Sequence, residues 1–262
     1  MNIHYASDLH LEFPENREWL RQNPLQGHGG VLLLAGDVMP FGGLQKLREQ
    51  YVRWGDQYDH VLWVPGNHEY YGGDIAERTG WLDEKLTDNV RLLNNEVWYA
   101  PGLRILCTTL WTRIGPENEN RVRQDMNDYH QIHNGHELVS PADTTRLHEA
   151  SLQWLTTELA KPHTGTTVVA THHVPTLLHY PPEYKGDALT EAFAVELHDV
   201  IERSNATAWI YGHHHRNIAS YTIGRTRMLT NQLGYVRLGE ERGFDPGAMI
   251  LTDQTTEINQ RR

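Results

Sequence analysis

"TAWIYGHHHRN", residues 207–217, runs from an apolar segment straight into three consecutive histidines. Histidine packed this densely is costly to bury and gains little as plain surface. Its meaning depends on what lies at the ends of the other apolar runs. Five of these have β character: "NIHYA" (2–6), "VLLLAG" (31–36), "HVLWVPG" (60–66), "LRILCTTLW" (103–111) and "TTVVATH" (166–172). Several are apolar nearly throughout, the pattern of strands covered on both faces. Helical patterns lie between them at 43–58, 76–86, 141–161 and 187–204, the third opening on Pro141 with Asp143 placed to cap it. Residues 218–236 read as strands around a Gly224-Arg225 turn. Strands alternating with helices predict an α/β layered architecture.

No repeat, low-complexity tract or Pro/Gly linker divides the chain, so one domain over 1–262 is expected. Residues 112–140 show neither period and are expected to form an irregular, lid-like segment. The net charge of −11, without a basic stripe, argues against a partner as long as a nucleic-acid duplex and for a small substrate. A single cysteine, Cys107, excludes an internal disulfide framework and a cysteine-rich zinc site. No run approaches about 18 apolar residues, so no membrane span is expected. The opening "MNIHYASDLH" reads as neither signal nor transit peptide, and cytoplasmic residence is the expectation. Oligomeric state is not legible.

The residues that follow each β run carry the chemistry. The first ends in Asp8-Leu9-His10, the second in Gly36-Asp37 and the third in Gly66-Asn67-His68-Glu69. The fifth ends in His172-His173, and the stretch quoted above in Gly212-His213-His214-His215. Ligands of open α/β sheets collect beyond the carboxyl ends of the strands. Five strand ends therefore direct carboxylate, carboxamide and imidazole groups toward one crevice. Any one of these pairs alone is an ordinary turn or cap. The ordered set is not.

The series D-x-H, G-D, G-N-H-[DE], H-H, G-H-x-H resembles that of the calcineurin-like metallophosphoesterase superfamily, over Asp8 to His215. The resemblance implies a four-layer α/β/β/α sandwich of two mixed sheets with a two-metal site at their edge. It implies that Asp8, His10, Asp37 and His215 hold one cation, and that Asp37, Asn67, His172 and His213 hold the other, with Asp37 bridging. Imidazole, carboxylate and carboxamide together suit manganese, iron or zinc rather than calcium. An extended Gly-His-His-His run would send His213 and His215 to one side and His214 away from it. The family pattern makes His68 the residue that protonates the leaving group, after in-line attack by a hydroxide between the cations. Glu69 is expected to fix local geometry.

Departures narrow the branch. Ser/Thr phosphatases of the superfamily carry G-D-x-x-D-R-G, whereas this chain has "GDVMPFG". The carboxylate that supports the catalytic histidine and the adjacent arginine are both missing from that motif. The expectation is a stand-alone, bacterial-type phosphoesterase acting on a small phosphodiester such as a cyclic nucleotide or dinucleotide. A phosphomonoesterase, a nuclease of nucleic-acid ends and a non-catalytic metal-binding scaffold are the alternatives. Tyr70, Arg113 and His173 are the candidate substrate contacts, with Tyr71, Asn127, Tyr129 and His133 also within the segments expected near the pocket.

Overall fold

The computed structural model describes residues 1–252. The strands of the first half are β1 (Asn2–Ala6), β2 (Val31–Ala35), β3 (His60–Val64), β4 (Leu82–Lys85), β5 (Val90–Asn94), β6 (Glu96–Ala100) and β7 (Leu103–Thr108). A two-residue hairpin, β8 (His133–Asn134) and β9 (Glu137–Leu138), precedes β10 (Thr166–Thr171), β11 (Ala208–Ile210), β12 (Tyr221–Ile223), β13 (Thr226–Leu229) and β14 (Met249–Leu251). The helices are α1 (Pro14–Gln22), α2 (Arg48–Gln57), α3 (Glu119–Asp125), α4 (Asp128–Gln131), α5 (Pro141–Ala160), α6 (Thr190–Phe193) and α7 (His198–Arg203).

Two six-stranded sheets result, ordered β14-β1-β2-β3-β5-β4 and β12-β13-β11-β10-β7-β6. Each has four parallel central strands and an antiparallel strand at either edge. Side chains of a strand alternate between faces, so a fully apolar strand must be covered twice. In β2, Leu33 enters the layer between the sheets with Ile3, Leu62, Ile105 and Val168. Its neighbours Leu32 and Leu34 face outward, against Leu20 of α1 and Tyr51 and Trp54 of α2. On the far side, Leu106, Val169 and Trp209 pack under Leu155 of α5 and Ile201 of α7. Three apolar layers separate four structural ones, which is the α/β/β/α sandwich expected from the sequence.

Some expectations are corrected. Residues 76–86 do not form a helix. They make a short turn at Ile75–Glu77 and then β4, because Gly80 at φ 72° reverses the chain and β4 pairs antiparallel with β5. Arg91 and Asp83 are paired across these strands, and Arg78 and Glu84 close the turn. Residues 187–204 form two short helices, α6 and α7. Between them Ala194 bridges Val174 and Leu197 donates to the Pro175 carbonyl, holding the chain extended. Segment 112–140 is more regular than its sequence suggests, containing α3, α4 and the β8–β9 hairpin around Trp111, Val122, Tyr129 and Ile132. α5 begins at a capping box in which Ser140 is the cap and Asp143 its reciprocal partner.

Leu33→Ala opens a cavity in the inter-sheet layer and is expected to cost about 3 kcal/mol, within the range for buried leucine truncation. Denaturant unfolding of both chains measures it.

Candidate metal centre

The loops after β1, β2 and β3, after β10, and after β11 meet at one end of the two sheets. Their backbones are unusual. Asp8, His10, Asp37, His213 and His215 all have positive φ, at 55°, 47°, 53°, 78° and 50°. Left-handed backbone at such residues is unfavourable, and it clusters where function over-determines it. Cross-loop hydrogen bonds hold it here: Asp8 N donates to Gly36 O, and His10 N to Asp37 O, both at 2.9 Å. Buried Glu69 accepts from the backbone of Asp37 (2.9 Å), Val38 (2.7 Å) and Gly66 (2.6 Å), and from Trp63 Nε1 at 3.0 Å. Burial and the neighbouring Asp37 push its carboxyl up to about 7, and these donors act against that rise. Gly36 and Gly66 are required by close approach: a Cβ would strike the His172 ring at the first and Asp37 Oδ1 at the second.

The donor atoms fall into two sets that share Asp37. His10 Nε2 and His215 Nε2 face each other at 3.0 Å, with Asp37 Oδ2 3.8 Å from the first and Asp8 Oδ1 3.4 Å from the second. The other ring nitrogens are committed, His10 Nδ1 to Glu12 Oε1 (3.0 Å) and His215 Nδ1 to Glu240 Oε2 (2.7 Å). Each Nδ1–H therefore donates to a carboxylate, and lone pairs are left on both Nε2 atoms. Asp8 Oδ2 is buried without a hydrogen-bond partner.

In the second set, His172 Nε2 lies 3.0 Å from Asn67 Oδ1, 3.0 Å from His213 Nδ1 and 3.4 Å from Asp37 Oδ1. His172 Nδ1 donates to Ala35 O at 3.0 Å and His213 Nε2 to Ala192 O at 3.3 Å, so acceptors converge here as well. Asn67 Nδ2 donates to Asp128 Oδ1 at 2.8 Å, which turns Oδ1 toward the cluster. Lone pairs that converge from all sides need a positive charge between them. Without a cation, protons meet that need. Burial disfavours a charged His215, but its bonds to Asp8 and Glu240 prevail and lift it to about 10. Burial likewise opposes a charged His172, and Asp37 lifts it to about 9. His10 and His213 are pushed down, first by burial and then by neighbouring histidines. The residues present fit two cations, each replacing a proton.

His68 belongs to neither set. Its Nδ1 is 2.8 Å from Glu12 Oε1, its ring stacks on Tyr71 at 4.1 Å, and its Nε2 is 3.2 Å from Tyr235 Oη. The carboxylate expected to be missing behind this histidine is therefore supplied from elsewhere. Glu12, two residues past His10, bridges both rings. Burial would raise its carboxyl, but the two imidazole hydrogen bonds bring it to about 2.

Glu12, Asp128, Gln232, Tyr235 and Glu240 escaped sequence reasoning, and only Glu12 stood beside a motif. Of the anticipated substrate contacts, Tyr71 and Asn127 line the cavity above the cluster, whereas Tyr70, Arg113 and His173 do not. Tyr70 is buried and donates to Arg78 O at 3.0 Å, within the apolar layer of Trp111. His173 is buried with Nδ1 3.1 Å from Thr109 O, its ring between Trp111 and His213. Arg113 is exposed and lies outside the lining. The cavity, of about 410 Å³, is further lined by Tyr180, Phe193 and Tyr235 among others, and His214 lines it rather than turning away. Tyr129, donating to or accepting from Thr144 at 3.0 Å, is buried beneath it, and His133 is exposed.

Cation uptake at pH 7 is expected to release protons from His172 and His215, raised to about 9 and 10 in the metal-free site. Affinity should then fall as pH drops from 8 to 6, about tenfold per unit for each proton released. Calorimetry in buffers of different ionisation enthalpy counts those protons. Asp128→Ala frees the Asn67 carboxamide and is expected to weaken one of two cations about 10–100-fold. Chelator competition resolves that loss.

Three comparisons bear on this arrangement. An uncharacterized protein of Acanthamoeba polyphaga mimivirus is 29% identical over 280 aligned positions, covering 96% of this chain and 97% of that protein. The crystal structure of the phosphopantetheinyl hydrolase of Mycobacterium tuberculosis superposes with a TM-score of 0.69 at 16% identity, covering 97% of this chain and 96% of that one. That likeness is one of fold. The profile of the calcineurin-like phosphoesterases matches residues 1–217, a span containing both donor sets and His68. With most of its length matched and two of its donor groups sharing Asp37, the chain belongs to the calcineurin-like phosphoesterase family, whose members are metal-dependent hydrolases.

Proposed function

We propose that the chain hydrolyses a small phosphodiester at a two-metal centre held by Asp8, His10, Asp37 and His215 on one side and by Asp37, Asn67, His172 and His213 on the other. Manganese, iron and zinc suit this donor set. Cations bound there would lower the pKa of water and neutralise charge on the phosphoryl oxygens. The protein's own groups do the rest. Asp37 presents one oxygen to each set. Asp128 and Glu240 fix the orientation of Asn67 and His215. His68 is held by Glu12 at Nδ1, which leaves Nε2 to deliver a proton to the departing oxygen beside Tyr235. Burial opposes its protonated form, but Asp37 and Glu12 raise its pKa, which favours that form near neutrality.

The observation that favours a diester is the charge of the cavity. None of its lining residues is Lys or Arg, whereas Asp37, Asp125, Asp187 and Glu240 are carboxylates. A monoester near neutrality brings one more negative charge than a diester, and only the metal centre and a protonated His68 are there to meet it. The same inventory, with the net charge of −11, disfavours a long nucleic acid. No helix among the described residues is long and apolar enough to cross a membrane. Cytoplasmic residence is part of this proposal, in keeping with a lone, buried Cys107.

The test is turnover of bis(para-nitrophenyl) phosphate against para-nitrophenyl phosphate after metal stripping and reconstitution with manganese, zinc or iron. A diester kcat/KM about tenfold or more above that of the monoester is expected; the reverse order overturns the diester reading. His68→Ala is expected to lower kcat about 10²–10⁴-fold while two metals stay bound. Unchanged turnover in that variant contradicts the role given to His68, and a metal-loaded chain inert toward both esters favours a scaffold.

A further inference from the structure

The segment after β13 sends Gln232, Tyr235 and Glu240 to the site, and Tyr235 meets His68 itself. Its backbone is tied to the loop after β1: Leu233 N donates to Ser7 O at 3.1 Å and Gly234 N to Asp8 O at 3.0 Å. Buried Asn16 of α1 fastens it again, donating to Gly234 O at 2.7 Å. Tyr235 N donates to Glu240 Oε2 at 2.8 Å, the oxygen that also holds His215 Nδ1. The Tyr235 ring packs against those of His10, His215 and Phe13, at 4.6, 4.5 and 5.4 Å between centroids. Arg237 lies over the faces of Phe13 and Tyr235, at 4.9 and 5.7 Å. A ring held on so many sides has little freedom, and the place of its hydroxyl is fixed.

That hydroxyl stands 3.2 Å from His68 Nε2, the atom assigned above to the departing oxygen. The other nitrogen of the ring is settled. Glu12 Oε1, 2.8 Å from Nδ1, belongs to an ionised carboxylate that only accepts, so Nδ1 carries a hydrogen. That bond and the stack on Tyr71 orient the imidazole without help from the phenol. A hydroxyl has one hydrogen and two lone pairs, and among the described residues Tyr235 Oη has His68 Nε2 as its one hydrogen-bond partner. When Nε2 carries a hydrogen, Oη accepts it, and the phenolic hydrogen is left for a ligand in the cavity that Tyr235 lines. A phenol keeps its proton near neutrality, and burial pushes Tyr235 further that way.

Resting on the phosphodiester reading, we propose that Tyr235 is a second catalytic residue beside His68, its hydroxyl donating a hydrogen bond to the oxygen that departs from phosphorus. As the P–O bond breaks, its electron pair stays on that oxygen, which takes the proton of His68 Nε2 while the oxygen of water forms the new bond to phosphorus. Tyr235 keeps its own proton and meets the negative charge as it develops. The residue lies outside the matched span of 1–217 and completes the site from the C-terminal part of the chain.

Tyr235→Phe keeps the ring and removes only the hydroxyl. The help it gives matters most for a poor leaving group, because a nitrophenolate spreads its own charge. On diphenyl phosphate kcat is expected to fall about 10–100-fold, and on bis(para-nitrophenyl) phosphate by less than about threefold, with two metals per chain retained. Binding to the metal-loaded chain reads the same hydroxyl without turnover. Vanadate, which as a trigonal bipyramid places an oxygen in the leaving position, should bind several-fold more weakly to the variant, and inorganic phosphate should lose less. Equal losses of kcat on the two diesters, vanadate affinity unmoved, or loss of a metal from the variant overturns the role given to Tyr235. Preference for monoesters in the unmodified chain overturns the phosphodiester reading instead, and phenyl phosphate against para-nitrophenyl phosphate then judges Tyr235 by the same comparison. In a chain inert toward every ester, vanadate binding still decides whether the hydroxyl meets that oxygen.

Discussion

Everything at this end of the molecule follows from packing unshared electron pairs against one another. His10 and His215 meet Nε2 to Nε2 at 3.0 Å, and His172, His213 and Asn67 bring three more acceptors together at the same spacing. A protein interior tolerates that only when a positive charge lies among the acceptors. The outer hydrogen bonds enforce it: one N–H of each of the rings of His10, His215, His172 and His213 goes to Glu12, Glu240, Ala35 O and Ala192 O respectively, so that the second nitrogen of each ring is free to face inward. These contacts decide the tautomers, and the tautomers decide what the site can bind.

The sandwich makes such crowding sustainable. Central strands run parallel in both sheets, so their carboxyl ends deliver loops from both to one edge. Apolar layers on both faces of β2 and β10 anchor those loops before they enter strained backbone. Each left-handed residue at the site carries an energetic cost of order 1–3 kcal/mol, which only a well-buried frame can sustain. Glu69 is the tie between the frame and the site: its oxygens gather backbone N–H groups from the loops after β2 and β3.

Much of this was legible in the sequence, and the exceptions have physical reasons. Fully apolar strands announced sheets covered on both sides, and the polar residues that end them announced the donor sets. β4 carries no strand signal of its own, because its alternation is weak and its pairing partner lies beyond a turn. The break between α6 and α7 is imposed by a bridge to Val174, a tertiary contact without a local signal. Asp128, Gln232, Tyr235 and Glu240 act through space on site residues elsewhere in the chain, and three of them fall beyond the matched family span of 1–217. Tyr70 and His173 neighbour motif residues in sequence, but a turn of backbone buries them behind the site. His214 illustrates the limit of strand alternation: the run after β11 is not extended, since His213 and His215 are left-handed, so the rule that would turn His214 aside does not apply.

The central claim is that two cations sit among these lone pairs and share Asp37. Crystals of the chain soaked with manganese, measured on either side of the metal's absorption edge, address it directly. Two anomalous peaks about 3.5–4 Å apart, flanking the Asp37 carboxylate, are the expected result. A single peak, or two that do not both touch Asp37, would contradict the account.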